Sequence, residues 1–213
     1  MNLTVETGAL TAGTIDITGN LDADQNVETD TGAILVDGTA DTEGTLIGET
    51  GVDIGGTSDL GGDVTAQANN VTLGGNVTLT ADSVITAAGT IGVTGSVDGA
   101  FDLTLAGTGG SDVSNTVGTT IVDLTVNDGA LVAGVIDIDG NLSASQNVSS
   151  DTGAISVAGT ATTTGGADIT GATGVSVSGT SSLNGDVTAT ANNVTLGGNV
   201  TLTADSVITA AGT

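Results

Sequence analysis

A six-residue phrase, apolar–x–apolar–x–Gly–Asn/Thr/Ser, returns along this chain at almost constant spacing and narrows the possible folds more than any other feature. It reads Ile15-Asp16-Ile17-Thr18-Gly19-Asn20 and begins again at Ile34, Val52, Val71 and Ile91. Its glycines, Gly19, Gly38, Gly56, Gly75 and Gly95, are 19, 18, 19 and 20 residues apart. After an irregular stretch the phrase resumes at Ile136, Ile155, Val175 and Val194, and the steps between the glycines of these four are 19, 20 and 19. A fixed short period means stacked coils. Alternation of period two, as in Val77-Thr78-Leu79-Thr80, makes the coils stranded.

The expected fold is therefore all-β: a parallel β-helix, or β-solenoid, of about 19 residues per coil. Such a coil holds three short strands and three corners, and about eleven coils give a rod on the order of 50 Å long. Inward residues such as Ile15, Ile17, Ile34, Val36, Val52, Ile54, Val71 and Leu73 should stack like on like. The glycine after each strand is expected to turn the corner with a positive φ.

A longer repeat overlies the coils. Residues 3–90 recur at 124–213, displaced first by 121 residues and from about Gly51 by 123. Asp63 to Thr90 matches Asp186 to Thr213 except at Gln67 against Thr190. A two-residue insertion between Thr160 and Gly174 accounts for the shift, and a loop can absorb it. The chain thus reads as one continuous solenoid over 1–213. Residues 3–96 are copy one, 97–123 irregular junction coils, and 124–213 a truncated copy two. Within the junction, Phe101 to Gly107 reads as a strand and Gly109 to Asn115 as a loop. Neither end reads as a polar cap, which solenoids need for solubility. The chain is accordingly expected either to be cut from a longer array or to stack on itself head to tail through its terminal coils.

Composition removes whole classes of function. The 213 residues include no Lys, Arg, His, Cys, Pro, Trp or Tyr, and the formal charge is −25. Without basic residues there is nothing to neutralise phosphates, so no nucleic-acid partner is expected. Anionic membranes are equally poor partners, and no apolar run approaches the ~20 residues of a membrane span. Catalysis by His, Cys or Lys is out of reach. Hydrolysis by paired carboxylates needs only residues such as Asp16, Asp37, Asp137 and Asp139. Even so, the chain has no cation for an acidic sugar and no aromatic platform for a sugar ring, so no enzyme is expected. With 38% apolar residues, nearly all Val, Ile, Leu and Ala, the chain is too hydrophobic for disorder. It offers trypsin-like proteases no cleavage site.

Phrases such as Gly75-Asn76-Val77-Thr78-Leu79-Thr80, in coils of about 19 residues, resemble the haemagglutination-activity repeats of filamentous-haemagglutinin-type exoproteins and giant bacterial surface adhesins. The resemblance covers nearly the whole chain. It implies a right-handed, three-sided helix at the cell surface or outside the cell, with no catalytic set. Met1-Asn2-Leu3-Thr4 lacks the regions of a signal peptide, so targeting is expected to lie outside this chain. The function expected is a structural segment of an extracellular fibre or giant surface protein. The alternative is an adhesin stalk that binds a glycan, Ca²⁺ or a partner protein through acidic or Thr-rich faces.

The duplication also sorts the acids. Asp22, Asp41 and Asp59 face Ser143, Thr162 and Ser182 in the second copy, as solvated surface groups would. The pairs Asp16/Asp137, Asp30/Asp151, Asp63/Asp186 and Asp82/Asp205 persist, and corner capping is the expected role. No cofactor is required. If Ca²⁺ binds, the best-placed oxygens are those of Asp112 and Asn115, flanked by Ser111 and Ser114, and then Asp16 and Asp137. Asn-x-Ser/Thr sequons occur at Asn2, Asn70, Asn76, Asn141, Asn147, Asn193 and Asn199. Corner asparagines followed by Val/Thr strands write this motif automatically. Asparagines such as Asn20 and Asn76 are expected to ladder their amides inside the corners. Thr72, Thr78 and Thr80 do not recur in every coil, which weighs against an ice-binding threonine lattice.

Overall fold

The computed structural model describes residues 1–212. It contains 31 strands, from Leu3–Val5 to Ile208–Ala210, and no helix among the described residues. All the pairings between coils are parallel, and they form three faces. The first face runs from Ile15–Ile17 to Ile208–Ala210. The second runs from Leu3–Val5 to Val194–Leu196, and the third from Leu10–Ala12 to Val200–Leu202. Two eight-residue strands, Ser111–Gly118 and Leu131–Ile138, turn a corner and serve both the first and second faces. With these two counted on both faces, each face carries eleven rungs.

The core is a set of columns. Side chains alternate in and out along a strand, so a three-residue strand buries its two outer positions. Ile15, Ile34, Val52, Val71 and Ile91 lie in register down the first face, all buried. Leu46, Val64, Ile85, Leu105 and Val126 do the same on the third. Each buried aliphatic contributes about 1.5–3 kcal/mol. Five buried serines interrupt the columns, and three of them, Ser58, Ser111 and Ser181, bury a hydroxyl with no partner among the described residues, at a cost of about 1–3 kcal/mol each. Ser58 and Ser181 occupy equivalent places in the two copies.

The corner glycines act differently from the expectation. None of Gly19, Gly38, Gly56, Gly75 and Gly95 has a positive φ; the positive-φ glycines are Gly8, Gly99, Gly110, Gly118, Gly165 and Gly166. What excludes a side chain is the coil below. A Cβ at Gly38 would lie 2.6 Å from the Gly19 carbonyl oxygen, and one at Gly56 would lie 2.7 Å from that of Gly38. At these glycines the stacked corners leave no room for a Cβ, whereas Thr173 and Asn192 take the equivalent places further along the rod.

The junction is also more regular than expected. Leu103–Gly107 is a strand, but the segment expected as a loop belongs mostly to the strand Ser111–Gly118. That strand absorbs its irregularity as a register shift between Val113 and Thr116. The insertion in copy two forms a turn in which Ala167 N–H donates to Thr164 O, with Gly165 and Gly166 at φ +66° and +83°. Asn184, which replaces Gly61 of copy one, accepts Gly166 N–H on its Oδ1 at 2.7 Å and holds the turn.

The two copies do not face the same way. Ile15, Ile34, Val52 and Val71 lie on the first face. Their counterparts Ile136, Ile155, Val175 and Val194 lie on the second. From Ile15 to Ile136 the chain passes nineteen strand positions, six full coils and one further side. Each feature of copy one therefore reappears a third of a turn around the rod. In the coil that carries Val200 and Leu202, these side chains are 41% and 51% exposed. Their counterparts Val77 and Leu79 are closed over by the strands that follow them.

Candidate functional site

The corners carry a directed hydrogen-bond ladder. An Asn or Asp standing just before a strand uses its Oδ1 to accept a backbone N–H one coil further on. On the second face Asn2 accepts Asn20 N–H at 3.0 Å and Asn20 accepts Thr39 N–H at 3.1 Å. At the corner leading into the third face, Asp82, Asp102, Asp123 and Asn141 hand the bond on in sequence to Thr160, at 2.6–3.2 Å. That column crosses the junction unbroken. The asparagines do ladder, but on exposed corners and through backbone N–H groups, not amide to amide inside the coil. The strand-pairing geometry places each acceptor under the next N–H, so no second amide is needed. Five of the sequon asparagines, Asn2, Asn70, Asn76, Asn141 and Asn147, are bonded in this way.

Asn20→Ala should cost about 1 kcal/mol by losing one such bond. Asn20→Asp keeps the oxygen and should lose less. Urea denaturation of both variants checks the order, and equal losses would show that the carbonyl is not what matters.

Among the persistent acids, Asp63, Asp82 and Asp186 cap corners as expected. Asp16 and Asp137 do not: they point outward from mid-strand, so their carboxylates have no corner to cap. Asp30 and Asp151 lie in turns, where they donate backbone N–H groups to Ala12 O and Ala133 O. The four residues considered for Ca²⁺ are not brought together. Asp16 and Asp112 share the first face but lie five rungs apart, about 24 Å. Asp137 is on the second face. Asn115 uses its Nδ2 to donate to Thr94 O, and Ser111 is buried. No group of three or more acids with metal-binding geometry occurs among the described residues.

Asp98 is the most heavily bonded acid. Its carboxylate accepts the hydroxyls of Thr119 and Thr120 and the N–H groups of Thr120 and Gly99, at 2.5–3.0 Å. Burial raises its pKa, but these bonds together outweigh burial and hold it below the ordinary aspartate value. The bonds tie down Thr119, at φ +84°, and Thr120, next to Gly118 at φ +116°. The stability they bring is complete above the ordinary aspartate pKa and fades as pH falls through the lowered one. A carboxyl NMR titration should find Asp98 still ionised as pH falls through the ordinary aspartate pKa; protonation above that value would contradict this arrangement.

Sequence reasoning missed the in-register surface columns, because register is not visible in spacing alone. Asp22, Asp41 and Asp59 stand directly opposite one another on the second face. Their copy-two counterparts Ser143, Thr162 and Ser182 form part of a hydroxyl column on the third face that runs from Thr104 to Thr201. Like charges directly opposite repel. Asp41→Thr should therefore stabilise the protein by about 0.2–1 kcal/mol at low salt. The gain should shrink as salt screens the repulsion. Melting curves at two salt concentrations test this, and a gain that ignores salt would point to packing.

A cleft of about 650 Å³ lies at the junction, where Gly92 interrupts the outward column between Thr72 and Asp112. The corners Thr108-Gly109-Gly110 and Asp128-Gly129-Ala130 form its wall. Comparison with protein-family models, curated proteins and solved structures finds no match to this chain.

Proposed function

We propose that this chain is a structural segment of an extracellular fibre or of a giant cell-surface protein of the filamentous-haemagglutinin type. Its work is mechanical: a stiff rod in which each coil is the template for the next. The observation that carries this reading is continuity. All three ladders, and the corner column from Asp82 to Thr160, run through the junction into the second copy without a break.

The aliphatic columns supply cohesion, and the outward acids and hydroxyls supply solubility. In this reading copies stack head to tail coil on coil, since open strand edges pair readily. The hydroxyl column on the third face favours a second reading, an adhesin stalk with a lateral partner.

Cryo-electron imaging of the native assembly, with and without a calcium chelator, tests the proposal. Continuous rods with an axial repeat of ~4.8 Å support the fibre. Rods that survive chelation make calcium incidental, and rods that dissolve make it structural. Discrete particles with covered ends would overturn head-to-tail stacking and leave the stalk.

A further inference from the structure

We propose that the junction between the two copies is a joint that acid releases: protonation of Asp98 unlatches the corner Thr119-Thr120 and opens the rod there, while the coils on either side stay closed.

The joint is where the ladder is thinnest. On the second face Val97–Asp98 meets Ser111–Gly118 through a single residue pair, Val97 with Val117. Every other pairing between coils among the described residues joins at least two. The side chain of Asp98 bridges the gap. Its Oδ1 accepts Gly99 N–H, Thr120 N–H and the Thr120 hydroxyl, and its Oδ2 accepts the Thr119 hydroxyl. One carboxylate thus straps its coil to the corner of the next.

That corner is strained. Five of the eight positive-φ residues among the described residues, Gly99, Gly110, Gly118, Thr119 and Asp128, lie in this one stretch. A β-branched residue such as Thr119, at φ +84°, keeps this conformation only while its surroundings impose it.

Acid acts in opposite directions at the joint and away from it. Thr78 stands opposite Asp98 one coil before and Gly118 one coil after, and neither ionises. Beyond them in the same outward column come Asp59 and Asp137, each two rungs off, about 10 Å. Asp82, Asp102 and Asp123 stand at the neighbouring corner, each bonded to the coil after it. No Lys, Arg or His is present to pair with any of these carboxylates. Protonation therefore relieves repulsion along the rod. At Asp98 it does the reverse, because hydrogen bonds to an ionised acceptor are roughly twice as strong as neutral ones, and four weaken together. Against the upward pull of burial, those bonds hold the Asp98 carboxyl below the ordinary aspartate value. The latch is therefore fully closed above that value and opens as pH falls through the lowered one. The corner acids have less to lose, since the third-face ladder beside them joins three to five residue pairs per rung.

Backbone amide exchange on the full chain, corrected for the pH dependence of free amides and read beside the carboxyl NMR signal of Asp98, tests this. As that carboxyl takes up its proton, protection at Gly99, Thr119 and Thr120 should fall at least about tenfold, while Leu46–Gly48 and Ile155–Val157 keep or gain protection. Asp98→Asn keeps one acceptor oxygen without the charge. It should show the lowered protection already at neutral pH, with no further step in acid. Asp59→Asn, in the same column but outside the latch, should keep the step of the parent chain. The proposal is overturned if Thr119 and Thr120 stay protected once Asp98 is protonated, if protection falls alike along the whole chain, or if Asp98→Asn retains the acid step. None of these results depends on whether rods form fibres.

Discussion

Replacing Leu105 with alanine is expected to cost about 2–5 kcal/mol and to open the rod in its middle. Leu105 is fully buried between Ile85 and Val126 in the inward column of the third face. Ladder hydrogen bonds fix the backbone on either side, so the walls cannot collapse into the space and the cost should fall in the upper part of that range. In a solenoid each coil touches only its neighbours, so the damage should stay local. Hydrogen exchange should show lost protection in Ser83–Ala87, Leu103–Gly107 and Leu124–Asn127, while Val27–Thr29 and Ala161–Thr163 keep theirs. A uniform loss along the chain would mean that the rod opens as one unit and that the nearest-neighbour picture is wrong.

Gly118→Ala is expected to destabilise the protein by more than about 3 kcal/mol, from left-handed backbone strain plus steric overlap. Gly118 has φ +116°, and a Cβ there would overlap the Asp137 carbonyl of the next coil. The neighbouring backbone cannot yield, because Asp98 ties Thr119 and Thr120 in place. Gly92→Ala is the control, in open space and without a positive φ, and should change stability by no more than about 0.5 kcal/mol. Urea midpoints of the two variants make the comparison. Similar losses at both sites would show that glycine matters here for chain entropy and not for clearance.

Much of the fold was legible because a solenoid repeats its instructions. The columns through Ile15, Ile34, Val52 and Val71 were readable from alternation and period, and the structure pairs them as read. The corner glycines were found in the right places for the wrong reason. Their need arises from contact with Gly19, Gly38 and other residues one coil away, and a linear reading sees only local φ. The cleft was half visible: Asp112 drew attention, whereas Asp128 and Gln146 join it only because successive rungs put them beside the gap at Gly92. The acidic and hydroxyl columns were legible as exchanges between copies but not as columns.

By itself the sequence determined the strand alternation, the coil length, the aliphatic interior and the duplication, because each is a property of spacing and residue type along the chain. Which side of the rod each copy shows was decided only by tertiary structure. Nineteen strand positions separate equivalent phrases and three make a coil, so the second copy must land one face further round. That remainder depends on how Ser111–Gly118 and Leu131–Ile138 turn their corners without leaving the ladder, which is settled by pairing with the coils above and below.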